Sequence, residues 1–129
     1  MPICINGVEK VSIGADVSIN PFVHIFGQGG VRIGDRAMIG SGALISSLEH
    51  DMTMEPMNQA ILMREVIIEE DVWVGAGAIV FPGVKLGRGC IVSANSVVSR
   101  DIPPYAIARG IPAKVVAYRR LAEKIEAQA

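Results

Sequence analysis

The groups in this 129-residue chain best suited to moving a proton are its two histidines, His24 and His50, because imidazole titrates near working pH. Their surroundings differ. His50 stands in a polar, methionine-rich stretch from Leu48 to Gln59, followed by Met52, Met54 and Met57. His24 lies in a regular run of alternating aliphatic residues, at an outward position that suits a solvated or stacked surface ring. Taken alone, a loop histidine followed by Asp51 fits an ordinary surface residue as well as a general base. What favours the base is the place of the stretch, at the one long break in a repeat. Glu49 and Asp51 are the nearest carboxylates in sequence, but adjacent side chains rarely reach one another well. A backbone carbonyl is an equal candidate for orienting the ring, so the partner stays open. The cysteines offer less: Cys90 falls at a small inward position of the repeat and reads as a buried free thiol, not as a disulfide or nucleophile.

The repeat is the element that must position these groups. From Ile68 an aliphatic residue recurs every six residues, at Val74, Val80, Leu86, Val92 and Val98. A second register lies two residues earlier: Val66, Val72, Ala78, Val84, Cys90 and Ser96. A period of six is even, so all marked positions fall on one face of an extended chain, whereas an α-helix would carry them round its axis. Gly and Pro every few residues, as in Phe81-Pro82-Gly83, exclude unbroken strand. What remains is a β-solenoid of short strands and turns, each inward aliphatic stacked on the coil below.

The same pattern starts at Ile13, Ile19 and Ile25, slips by two residues at Gly27-Gln28-Gly29-Gly30, and resumes at Ile33, Ile39 and Ile45. Between Ile45 and Ile68 it is absent, and the His50 segment must leave the stack as a loop on a rigid scaffold, a common place for chemistry. After Val98, Pro103 and Pro104 forbid another regular strand step. The chain is then read as one domain: a cap over 1–10, coils over 11–47, the loop over 48–65, coils over 66–100 and a C-terminal segment over 101–129. Within that segment, Leu121, Ala122 and Ile125 at helical spacing predict a short amphipathic helix from about Ala117 to Ala127. Four to five coils are expected.

Composition agrees. The chain is 50% hydrophobic but 5% aromatic, as a narrow interior filled by Ile, Val and Ala requires. Twelve basic against thirteen acidic residues give no reason to expect a nucleic acid or a membrane surface as partner. No apolar run approaches the ~18–20 residues of a membrane span, and Met1-Pro2-Ile3-Cys4 lacks the basic start of a signal peptide. A cytoplasmic protein is expected.

Three features together resemble a known family. They are His50 in the loop, Val72-Trp73-Val74-Gly75 after it, and Asp101-Ile102-Pro103-Pro104 leading to Gly110-Ile111-Pro112-Ala113-Lys114. In this order they resemble the left-handed β-helix, hexapeptide-repeat acyltransferases, in the branch of galactoside and maltose O-acetyltransferases. The resemblance implies left-handed coiling and an all-β parallel β-helix. It also implies acetyl-CoA as co-substrate, with no metal; two histidines cannot supply the three-His zinc site of carbonic anhydrases that share this fold. By residue-to-residue match, His50 corresponds to the general base of a direct transfer from thioester to hydroxyl. Trp73, Gly75, Ala76, Ala94, Ser99, Arg100 and Lys114 correspond to coenzyme-binding positions, and the Gly75–Ala76 region to the oxyanion donor. One further basic position of the family falls on Ala117, and the methionines after His50 replace polar residues.

The family also implies a homotrimer with each site between two subunits, and outward Ile79, Phe81, Ile91 and Val97 would supply apolar faces for it. The expected acceptor is a hydroxylated small molecule, a sugar or a polysaccharide precursor. Two alternatives stand beside this reading: N-acetylation of an amino sugar or antibiotic-like amine, and a non-catalytic scaffold subunit that keeps the fold.

Overall fold

The computed structural model describes residues 2–122. Its core is the six-residue repeat closed into a three-sided column. In the first coil, β1 (Cys4–Asn6), β2 (Val11–Ile13) and β3 (Ser18–Ile19) each open one face. The second coil adds β4 (His24–Phe26), β5 (Val31–Ile33) and β6 (Met38–Ile39). The third begins with β7 (Leu44–Ser46), departs into β8 (Leu48–His50) and β9 (Ile61–Met63), and returns as β10 (Val66–Ile68) and β11 (Trp73–Val74). The fourth is β12 (Ile79–Val80), β13 (Lys85–Leu86) and β14 (Ile91–Val92). The fifth holds β15 (Val97–Val98), a bridge at Ile102, and β16 (Ala106–Gly110), on which β17 (Ala113–Tyr118) turns back.

Equivalent strands of successive coils pair in parallel, giving a first face β1-β4-β7-β12-β15, a second β2-β5-β10-β13 and a third β3-β6-β11-β14-β16. The register stacks the marked aliphatics: Ile5, Ile25, Ile45, Val80 and Val98 on the first face. Ile13, Ile33, Ile68, Leu86 and Ile102 stack on the second. Ile19, Ile39, Val74, Val92 and Ala108 stack on the third. From the second coil upward all of these are buried, and so are Val66, Val72, Ala78, Val84, Cys90 and Ser96 of the second register. Both registers therefore point inward, because two residues apart on a strand is the same side. Burial raises the Cys90 thiol to a pKa of about 12, leaving it the inert core residue expected.

Two expectations need comment. Residues 1–10 do supply a strand, β1, on which the first face is founded. The C-terminal helix does not start at Ala117: Ala117 and Tyr118 end β17, and Arg119 to Ala122 have no regular structure. The rest of that prediction, 123–127, lies outside the described residues. The physical reason is the exposed edge of β16, whose backbone groups take an antiparallel partner (Arg109 opposite Lys114, Ile107 opposite Ala117) before a helix can nucleate. The Arg119 N–H donating to the Tyr105 carbonyl at 2.8 Å keeps the chain extended beyond the strand. Among the described residues, no helix is long and apolar enough to cross a membrane.

Candidate active site

The break in the repeat is a β-hairpin. β8 and β9 pair antiparallel, with Leu48 opposite Met63, Glu49 opposite Leu62 and His50 opposite Ile61. Its root is fixed at the corner between the first and second faces by Ser47. This side chain is fully buried, its Oγ donating to the Phe26 carbonyl at 2.6 Å and accepting from the Gly29 N–H at 2.8 Å. The two-residue slip one coil below thus serves the hairpin, because the Gly-rich turn is what supplies that donor. The Arg64 N–H closes the root on the Ser47 carbonyl at 2.8 Å.

His50, the last residue of β8, is exposed, with Nδ1 at 3.3 Å from the carbonyl oxygen of Ala60. That oxygen can only accept, so Nδ1 carries the proton and the lone pair of the neutral ring lies on Nε2. The orienting group left open by the sequence is a backbone carbonyl across the hairpin. Asp51 is engaged elsewhere: its Oδ1 accepts from the Thr53 N–H at 2.9 Å and the Thr53 hydroxyl at 2.6 Å, which hold its carboxyl below the usual carboxylate range. His24, on the first face, stacks on Phe26 with ring centroids 4.0 Å apart, its Nε2 at 2.6 Å from Asn6 Oδ1. That is the surface stacking the sequence suggested.

The residues matched to a coenzyme fall in three places. Gly75, Ala76 and Ala94 line the corner between the third and first faces, with Ala76 and Ala94 at equivalent points of successive coils. A Cβ on Gly75 would sit 2.6 Å from the Ala94 nitrogen, so the close stacking of this corner requires glycine. The Gly75 N–H is spent on the Val92 carbonyl at 2.8 Å, whereas the Ala76 N–H donates to no group among the described residues. Ser99, Arg100 and Lys114 come together with Pro112 and Ala113 around a cavity of about 520 Å³ at the upper end of the column. Trp73 lies apart from both, half-exposed in the middle of the third face. It forms the floor of a groove of about 460 Å³ with Met38 and Ile91, edged by Arg36, Asp71, Arg88, Tyr105 and Arg119. Trp73 is excluded from the core, as expected of so narrow an interior.

Among the described residues, His50 lines neither the Trp73 groove nor the cavity at Arg100 and Lys114. Ile79, Ile91 and Val97 are half-buried and Phe81 is exposed. The groove residues Arg36, Asp71, Arg88 and Tyr105 carry no sequence signal. They lie many residues apart and meet only because successive coils stack their corners.

The family model for the hexapeptide repeat of succinyl-transferase matches residues 26–47 and 65–100. A galactoside O-acetyltransferase of Lactococcus lactis is 32% identical over 110 residues, 84% of this chain and 53% of that protein. A 2,3,4,5-tetrahydropyridine-2,6-dicarboxylate N-acetyltransferase of Staphylococcus aureus is 36% identical over 83 residues, 64% of this chain and 31% of that protein. A hexapeptide-repeat-containing acetyltransferase of Vibrio cholerae, solved with acetyl coenzyme A, superposes with a TM-score of 0.85 at 28% identity, covering 91% of this chain and 64% of that one. The chain spans about half or less of the length of the curated relatives it matches.

Proposed function

Since the chain belongs to the hexapeptide-repeat acyltransferase family, we propose that it transfers an acetyl group from acetyl-CoA to a hydroxyl of a sugar or related acceptor. The observation that carries this reading is the hairpin: a rigid column interrupted once to hold His50 outward, with Nδ1 protonated against Ala60 and Nε2 left basic. In the proposed mechanism His50 Nε2 takes the acceptor hydroxyl proton as its oxygen attacks the thioester carbonyl. The Ala76 N–H, fixed in advance by the stacked corner, stabilises the oxyanion. The C–S bond then breaks, the protonated His50 returns its proton to the departing sulfur, and coenzyme A leaves as thiol, with no acyl-enzyme. Gly75, Ala76, Ala94 and Ser99 hold the pantetheine arm, and Arg100 and Lys114 the phosphorylated end.

Since His50 lines neither the Trp73 groove nor the cavity at Arg100 and Lys114, the site is proposed to form between subunits of a homotrimer, His50 of one facing the corner groove of the next. A second reading, N-acetylation of an amine, is favoured by the likeness to the Staphylococcus aureus N-acetyltransferase and uses the same base and coenzyme groove.

Calorimetric titration of acetyl-CoA tests the proposal without a known acceptor. Micromolar binding is expected, weakened about tenfold or more in Arg100→Ala through loss of a charge-assisted contact. No binding to a folded protein would reject the transferase reading in favour of a non-catalytic scaffold.

A further inference from the structure

The groove on the third face holds more than the coenzyme reading uses. Its floor is apolar and open, with Trp73 48% and Met38 43% exposed. Its edge is cationic. Arg36 forms a two-pronged pair with Asp71, at 2.9 and 3.1 Å. Arg88 reaches Glu70 only at 3.5 Å, and Arg119 directs Nη1 at the Gly89 carbonyl at 2.8 Å, a neutral partner that leaves its charge in place. Among the described residues, Arg36, Arg88 and Arg119 line the groove with one carboxylate, Asp71, while Asp35 and Glu70 act on Arg36 from beside it. All three guanidiniums act on Asp71, Arg36 foremost through its hydrogen bond, and hold its carboxyl low, so it stays ionised; the described residues lining the groove carry three positive charges to its one negative.

Tyr105 takes the left-handed conformation, φ 61°, that recurs at this point of the repeat in Asp16, Phe22, Arg36, Asp71 and Asn95, so the regular turn sets its ring at the edge of the groove. A Cβ on Gly89 would lie 2.6 Å from the Tyr105 ring and 3.2 Å from Arg119 Nη1. The volume, about 460 Å³, is that of a small-molecule site.

We propose that this groove binds an anionic group carried on a ring, the phosphate monoester or carboxylate of the acceptor, with Trp73 as the platform for the ring and Arg88 and Arg119 as partners of the anion. The site stands on the groove itself; that its occupant is the acceptor rests on the transferase reading. A flat or puckered ring gains contact area against the indole and desolvates the floor. A guanidinium fork held at the rim matches two oxygens of a carboxylate or phosphate.

Trp73 is the only tryptophan, so its fluorescence reports on the groove directly. The probes are glucose, glucose 6-phosphate, glucuronate and inorganic phosphate. A saturable change with glucose 6-phosphate, glucuronate or both, and none with glucose over the same millimolar range, is expected; the two charged sugars separate phosphate from carboxylate. Arg88→Gln and Arg119→Gln should each weaken that binding about tenfold, the loss of one charge-assisted hydrogen bond. Arg32→Gln, which breaks the Arg32–Glu65 pair on the second face, should leave it unchanged. An equal response to glucose, no saturable response to any sugar, indifference to both groove substitutions, or inorganic phosphate binding as tightly as glucose 6-phosphate would each overturn the proposal. Acetyl-CoA calorimetry on the same samples keeps the two readings apart. Coenzyme binding without anion discrimination removes the groove site alone, and anion discrimination without coenzyme binding removes the transferase reading alone.

Discussion

His50 and Cys90 show how placement decides what a reactive side chain does. The His50 ring is exposed on a hairpin, with Nδ1 against the Ala60 carbonyl and Nε2 engaged by no group among the described residues. With an acceptor found, His50→Ala should lower kcat by roughly 10²–10⁴-fold, the range for a lost general base, while acetyl-CoA affinity from calorimetry stays unchanged. Equal loss of both would point to a structural role. Cys90 is buried, and its thiol is raised to about 12 by burial, so it is a thiol at neutral pH. A native thiol assay should therefore titrate one group per chain, the exposed Cys4, and two after denaturation. Two fast-reacting thiols in the native protein would show that the fourth coil opens readily.

The elements divide into a column and an arm, and their stabilities should separate. Leu86 is fully buried in the stack of the second face, so Leu86→Ala should destabilise the protein by about 2–5 kcal/mol, measured by denaturant unfolding. Ser47 holds the hairpin root through two hydrogen bonds. Removing its hydroxyl in Ser47→Ala leaves the Gly29 N–H without its partner, while the Phe26 carbonyl keeps the Ser47 N–H at 2.9 Å, at a cost of about 1–3 kcal/mol. Because the column does not depend on the arm, the loss should appear as faster proteolysis within residues 51–59, not as unfolding of the coils. Proteolysis at the wild-type rate would mean that the hairpin is held by something other than its root.

For the whole molecule, a three-sided column with an exposed methionine-rich arm leaves apolar surface to cover. Met52 is 83% exposed at the hairpin tip, and Phe81 is exposed on the first face. The proposed trimer would bury such surface and bring His50 to the coenzyme corner of a neighbour, so assembly and activity should be lost together. Light scattering at assay concentration should give three times the chain mass. An active monomer would contradict the intersubunit site.

The sequence alone determined the column, because a six-residue period of aliphatics has one solution in which every marked side chain is buried. It likewise singled out the His50 segment, since an interruption of a strict repeat cannot stay in the stack. What it could not decide is everything that depends on stacking between coils. The hairpin pairing that gives His50 its Ala60 partner is such a case, as is the β16 edge that takes a strand where a helix was expected. So is the meeting of Arg36, Asp71, Arg88, Tyr105 and Arg119 around Trp73. A repeat fixes which side chains point in. Which outward side chains become neighbours depends on the corners and the length of each insertion, and that is settled only when the chain is coiled.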